Sequence, residues 1–355
     1  RIVAEAGGER VSDEIATHEW DERYKPMKLK RLGPSIIPAE VVVPLNSLYM
    51  FLSDIEHAIR VPYSVEGISV KGNEIVLLFL IPHDERRFSF NFAFALSLTV
   101  LKTALRYGGR PYSGGLYFGG YRNKVFGRDR LAAIEAAKKS RDPRGIMNPY
   151  KLEGKPTIVS LLSAAAALEP IARALGNASR IELAERYVDQ KGMPGDVVWF
   201  AYACAQCGYC VRECDQFYGR GWESESPRGK WYWMKRYLEG KERLTQEQVD
   251  TFLICTTCEM CSFRCQLDMP VEESWEKLRG ETVQERGYMT FPPFEIMAAS
   301  LRKERNIWAS FARDRDAWVP EDVKPRIKDR AEIAYFAGCT ASFVENDIGK
   351  ASMTL

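Results

Sequence analysis
The first 150 residues switch between two spacings of apolar side chains. Residues 40–44, Glu-Val-Val-Val-Pro, form a short strand-like run, and a helical spacing follows over 45–60. Residues 63–70 and 74–81 then alternate apolar with polar positions. Lys71-Gly72-Asn73 between them has the composition of a tight turn, which predicts a hairpin. A helix is expected through 92–107, followed by a glycine-dense loop over 108–120. A further helix over 128–140 ends before Asp142-Pro-Arg-Gly-Ile-Met-Asn-Pro149. Strands and helices mixed in this way predict an α+β region with an antiparallel sheet.

The second half changes character. Residues 151–200 read as a helical connector with an Ala-rich stretch at 158–175, where Pro170 starts a new helical segment or kinks the old one. Helical spacing dominates 201–330. Ser226-Pro227 supplies a cap and a first-turn proline for a helix over 228–238. Ile333-Ala-Tyr-Phe336 is strand-like, and the following Ala337-Gly338-Cys339-Thr340 turns into a helix capped by Thr340 or Ser342. That reads as the opening of an α/β domain over 331–355.

Charge narrows the partners. Fifty basic and 48 acidic residues leave a net charge of +2, which argues against nucleic acid or an anionic membrane as the main partner. A hydrophobic content of 46% is ordinary for a globular chain, and 355 residues allow two or three domains. The apolar run 90–105 contains Asn91, Ser97, Thr99, Lys102 and Thr103, so no transmembrane segment is expected. The sequence opens at Arg1 without Met and closes on Ala351-Ser-Met-Thr-Leu355 with no helix-stop residue. It is therefore expected to be a piece of a longer chain.

Eight of the nine cysteines fall into two copies of one pattern, C-x-x-C-x-x-C-x-x-x-C. The first is Cys204-Ala-Gln-Cys207-Gly-Tyr-Cys210-Val-Arg-Glu-Cys214, the second Cys255-Thr-Thr-Cys258-Glu-Met-Cys261-Ser-Phe-Arg-Cys265. Three thiolates at intervals of three let one tight loop wrap an iron–sulfur cube. The fourth, on the outgoing turn, ligates the other cube in two-cluster ferredoxins. The expectation is one 4Fe–4S cluster on Cys204, Cys207, Cys210 and Cys265, and a second on Cys255, Cys258, Cys261 and Cys214. Structural zinc, in a redox-inert assembly protein, is the alternative, but it pairs C-x-x-C units within one tetrahedron. Disulfides suit smaller secreted chains. Forty residues between Cys214 and Cys255 leave room for helices, which favours an all-α ferredoxin domain over 201–330. Grouped thiols and oxygen-sensitive clusters point to the cytoplasm, including a peripheral place on the cytoplasmic face of a membrane.

Around the motifs, most of Trp199, Trp222, Trp231, Trp233, Tyr202 and Tyr218 are expected to pack and keep water off the clusters. Arg228, Lys230 and Lys235 read as solvated helix positions that could dock an acidic electron carrier. Cys339 is a small buried hydrophobe or, following Gly338 at the head of a helix, a metal ligand. His18 and His57 read as solvated or satisfied, His83 as a turn residue.

Residues 142–149 resemble the D-P-x-G-I-x-N-P signature of FAD-linked oxidases of the glycolate oxidase and D-lactate dehydrogenase type. With Gly7-Gly8, Trp20-Asp-Glu-Arg23 and the 108–120 loop, residues 1–150 resemble the carboxyl-terminal cap domain of that family. The resemblance implies FAD, bound largely by a domain outside this sequence. It implies a carboxylate clamp at Arg23, which with Arg110 and Tyr112 is a catalytic candidate, and flavin-facing places for Arg110, Tyr112 and Asn148. The family's histidine-bearing segments are replaced by 65–73 and by Gly114-Gly115, so no metal is expected in the cap. The cysteine region resembles the iron–sulfur partners of the same enzymes, heterodisulfide reductase subunits and anaerobic glycerol-3-phosphate dehydrogenase. There a two-cluster helical ferredoxin feeds a cysteine-rich CCG domain, and the Tyr-Phe-Ala-Gly-Cys-Thr run around Cys339 resembles the start of one. The implied function is an oxidoreductase passing electrons from an FAD-linked site through two clusters. The electrons would go on to a CCG site, a quinone, a disulfide or a redox partner protein, within a complex of several subunits. The alternative is an electron-transfer subunit whose cap serves as scaffold.

Overall fold
The computed structural model describes residues 5, 7–9, 11–70, 72–113, 118–151, 167–179 and 187–354. Gly114-Gly115, Lys71 and part of the Ala-rich stretch lie outside them. The chain divides into two compact units, Arg1–Leu244 with Ile254–Leu278, and Thr245–Leu253 with Arg279–Leu355.

The first unit begins with helix α1 (Asp13–Asp21), which Ser12 caps by accepting from the Ile15 N–H at 3.4 Å. A 3₁₀ segment, Lys25–Arg31, leads into strand β1 (Ser35–Pro44). Helix α2 (Leu48–Ala58) returns the chain to β2 (Ser64–Val70) and β3 (Glu74–His83), the hairpin foreseen around Gly72-Asn73. Asn73 sits at φ 60°, the left-handed turn that asparagine tolerates. Helix α3 (Ala95–Arg106) and the two-residue strand β4 (Arg110–Pro111) complete an antiparallel sheet of order β2-β3-β1-β4. Alternate β1 residues Ile37, Ala39, Val41 and Val43 enter the core and meet Phe51 and Ile55 of α2, Phe79 and Ile81 of β3, and Leu96 and Val100 of α3. Each of these valine, leucine, isoleucine and phenylalanine side chains contributes about 1.5–3 kcal/mol on burial, and the Ala39 methyl less. Gly109 passes where a Cβ would lie 2.5 Å from the Val42 carbonyl oxygen, so this glycine admits β4 to the sheet.

Helix α4 (Arg128–Arg141) precedes the Asp142 loop, and α5 (Glu169–Ala178) has Pro170 in its first turn, as expected. Glu169, nearly buried, accepts from Thr99 Oγ1 at 2.7 Å and so ties α5 to α3. His83 is not a turn residue but the buried end of β3. Its Nδ1 accepts from the Asp84 N–H at 2.7 Å, which leaves Nε2 to donate to the Ser179 carbonyl at 3.0 Å. The cysteine region is helical: α6 (Gly195–Ala203), α7 (Tyr209–Arg212), α8 (Asp215–Arg220), α9 (Pro227–Leu238), α10 (Met260–Phe263) and α11 (Val271–Arg279). Ser226 caps α9 by accepting from Gly229 N–H at 3.2 Å, behind Pro227.

The second unit is helical among its described residues, with α-helices Gln246–Leu253, Pro292–Glu304, Gly338–Phe343 and Asn346–Thr354 and a π turn at Gly280–Glu285. The strand expected at 333–336 has no ladder partner among the described residues, and Ile333 and Phe336 are exposed. An apolar run becomes a strand only against a neighbour, and none is present among those residues. The following helix starts at Gly338 instead of being capped by Thr340 or Ser342.

Candidate metal centre
Each cysteine loop is delivered by its helices. In α6 Val197, Val198, Trp199 and Ala203 are buried, and this packing brings Cys204 to the head of the first loop. The two loops then follow the same backbone course. Gln206 and Gly208 have φ 57° and 86°, and the equivalent residues of the second loop, Thr257 and Glu259, have φ 54° and 59°. Left-handed residues at the third and fifth positions curl each chain into a concave wrap around its thiols. The second loop is also tied to the start of α11, because Ser262 Oγ accepts from the N–H groups of Val271 and Glu272, each at 3.1 Å.

Two hollows result. Cys204, Cys207, Cys210 and Cys265 line one. Cys214, Cys255, Cys258 and Cys261 line the other. Cys261 also reaches the first hollow, so the two are neighbours. Trp231 borders the first and Trp275 the second, their rings 4.3 Å apart and both nearly fully buried. Apart from Cys261, which borders both, each hollow takes three thiols from one motif and the last thiol of the other. Among the described residues, no three Cys, His, Asp or Glu side chains converge as they would on a single ion. A zinc tetrahedron with bonds of about 2.3 Å draws its sulfurs to within roughly 4 Å of each other. Here the thiols line the two hollows without such a convergence among the described residues.

The electrostatics also fit such a group. Burial pushes the Cys204 thiol up to about 11, with Cys265 and Cys207 adding repulsion. Burial likewise pushes Cys261 up to about 12, helped by Cys255 and Cys258, and raises Cys210 and Cys265. Dry walls and crowded sulfurs oppose bare thiolates; a bound cationic metal group would supply the positive charge that reverses this.

A strap from the sheet domain lies over the first loop. The Tyr24 N–H donates to Gln266 Oε1 at 3.2 Å, and the Tyr24 ring meets Tyr209 edge-on at 5.9 Å. Lys25 and Lys28 both pair with Asp268, and Lys30 Nζ donates to the Cys204 carbonyl at 3.3 Å. Burial lowers the Lys30 pKa, an effect that Cys204 opposes. Sequence reading missed this strap, because its partners lie 174–243 residues away and only its basic run marks it.

The other expected site residues fall elsewhere. Arg23 donates to the Trp20 carbonyl, and its guanidinium stacks over Trp20 at 4.2 Å and near Tyr209 at 5.3 Å. Arg110 on β4 pairs with Glu74 at 3.0 Å, and the half-exposed Tyr112 donates its N–H to the Glu40 carbonyl. Asn148 takes φ 47° in a loop ordered by Asp142, which accepts from the Ile146 and Met147 N–H groups at 2.9 Å and from Lys138. Cys339 lies half-buried in Gly338–Phe343. Trp222 and Tyr218 are exposed and line neither hollow; Trp199, Trp231 and Tyr202 are buried. Lys230 is buried and lines the second hollow, Lys235 pairs with Glu85 and Arg228 with Glu223, so these three are not free solvated positions.

Comparison with known proteins agrees with both resemblances. Residues 203–270 match the family described as 4Fe-4S dicluster domain, and residues 115–152 match FAD linked oxidases, C-terminal domain. The chain is similar to one subunit of the dihydromethanophenazine:CoB–CoM heterodisulfide reductase of Methanosarcina barkeri, at 30% identity over 171 residues. That stretch is 44% of this chain and 41% of the relative. The Methanosarcina acetivorans counterpart is 31% identical over the same coverage. The glycolate oxidase iron-sulfur subunit of Escherichia coli is 42% identical over 59 residues, 16% of this chain and 14% of the relative. The chain thus spans about two fifths of the length of the two heterodisulfide reductase relatives. No solved structure matches it significantly. No described helix is long and apolar enough to cross a membrane.

Proposed function
We propose that this chain conducts electrons in a flavin- and iron–sulfur-dependent oxidoreductase, between an FAD-linked dehydrogenase site and an acceptor. Two 4Fe–4S clusters would lie between them, one on Cys204, Cys207, Cys210 and Cys265, the other on Cys255, Cys258, Cys261 and Cys214. The carrying observation is that these eight thiols line two adjacent hollows, each drawing its fourth thiol from the other motif. A bound cube supplies reversible one-electron chemistry. The chain's own part is to hold the thiols apart, to exclude water with Trp231 and Trp275, and to supply charges and N–H groups that set the potential. The acceptor would be a CCG-type site around Cys339, a quinone, a disulfide or a partner protein on the cytoplasmic side. FAD would be held largely outside this sequence, with Tyr112 and Asn148 facing it.

The Arg110–Glu74 pair favours a second reading, since it occupies the cation best suited to a flavin or its substrate. In that reading the sheet domain is a scaffold, and the chain is an electron-transfer subunit of a heterodisulfide-reductase-like complex. Anaerobic purification with iron and sulfide analysis tests both readings at once. About eight irons per chain and a broad absorption near roughly 400 nm are expected for two cubes. Zinc without iron contradicts both. Flavin bound in a complex of this chain with an FAD-binding domain and bleached by D-lactate or glycolate supports the first reading, and bleaching only by a reduced carrier supports the second.

A further inference from the structure
We propose that the two cubes sit at unequal reduction potentials, and that the one on Cys204, Cys207, Cys210 and Cys265 is the higher, so that an electron entering the pair comes to rest there. This rests on the two-cluster reading above. Adding an electron makes a cube more negative, so nearby cations and N–H donors favour its reduced form and nearby carboxylates oppose it. The linings of the two hollows differ in this respect. Among its described lining residues the first has Arg228 and Arg264 and no acid; just outside the lining, Glu223 pairs with Arg228, Asp268 is paired by both Lys25 and Lys28, and Lys30 approaches the Cys204 carbonyl. The second is bordered by Glu213, Asp215, Glu259 and Glu272, against Lys230 alone. Lys230 and Glu272 are both buried and offset one another, which still leaves three carboxylates on that side. Arg264 and Glu213 form a pair at 3.3 Å whose positive end belongs to the first lining and whose negative end belongs to the second. This pair polarises the space between the cubes in the same sense.

A second observation points the same way. The Trp231 indole N–H is buried without a hydrogen-bond partner among the described residues, although an indole N–H that is buried usually finds one. Trp231 borders the first hollow. A sulfide there would accept from it, and such a bond raises the potential of the cube that receives it. Trp231 is therefore a positioning and tuning residue, without itself carrying the electron.

The test is a redox titration of the cluster-loaded full chain followed by electron paramagnetic resonance. Two one-electron steps are expected. Trp231→Phe keeps an aromatic ring, though a smaller one, and removes the donor, and should lower only the upper step, by about tenfold in its equilibrium constant, or about 59 mV. Asp215→Asn, an isosteric change at an exposed position, should raise only the lower step. Coincident steps, or a Trp231→Phe shift confined to the lower step, overturn the proposal. Iron analysis of the same samples keeps the two readings distinct. Fewer than two cubes sinks the two-cluster reading, whereas two cubes with equal or reversed potentials sink only this inference.

Discussion
The matching backbone of the two cysteine loops makes a quantitative demand on Glu259. It occupies the left-handed position that Gly208 fills in the first loop, at φ 59° against 86°. A residue with a Cβ is strained there by about 1–2 kcal/mol. Glu259→Gly releases that strain but frees the unfolded chain, which returns roughly 0.4–1 kcal/mol. The net gain is about 0.5–1 kcal/mol, and Gly208→Ala should lose a similar amount. The added Cβ would also lie 2.6 Å from Arg228 Nη1, the movable end of a side chain that pairs with Glu223, so the loss falls at the upper end of this range. Glu259→Gln serves as the control, because it keeps the Cβ and removes an exposed charge. Guanidinium unfolding of the anaerobic, cluster-loaded chain reads the effect as a shifted midpoint at constant slope. A destabilised Glu259→Gly, or a Glu259→Gln as stabilised as the glycine, would refute the backbone argument and put charge in its place.

Two further substitutions probe the scaffold. Ser226 is fully buried and caps α9, so Ser226→Ala should cost about 1 kcal/mol of stability, seen as an earlier thermal loss of helical circular dichroism; an unchanged melting temperature would contradict the cap. Burial lowers the His83 pKa, with the backbone carbonyls of Asp84 and Ser179 opposing. The unfolded chain therefore binds the proton more readily. His83 stabilises the fold above its ordinary value near 6.5, and that contribution drains away as pH falls from there toward the lowered value. His83→Gln should flatten the stability profile across this window, and an unaltered slope would remove His83 from the account.

What the sequence made legible was local or strongly patterned. The hairpin at Gly72-Asn73, the helix starts at Pro170 and Ser226-Pro227, and the cysteine spacing are short-range signals, each with a steric or hydrogen-bonding cause. The roles of Lys230, Arg110 and the strap at Lys25–Arg31 were not legible. Each depends on a partner distant along the chain: Glu74 for Arg110, Asp268 and Cys204 for the lysines of the strap. Solvation of a lysine is decided by what covers it, and no periodicity records that. The strand misread at 333–336 has the same origin, since apolar alternation cannot supply a neighbouring strand.

The crossed sharing of thiols is the claim on which the rest depends, and paired substitutions test it most directly. Removing two ligands of one cube should cost no more iron than removing one, whereas removing one from each should damage both. The double variant Cys204→Ser with Cys265→Ser should therefore keep about four irons and one intact resonance signal, while Cys204→Ser with Cys214→Ser should lose both signals. The reverse outcome, with the Cys204 and Cys214 pair sparing one cube, would show that each motif closes its own cluster and would contradict the arrangement described here.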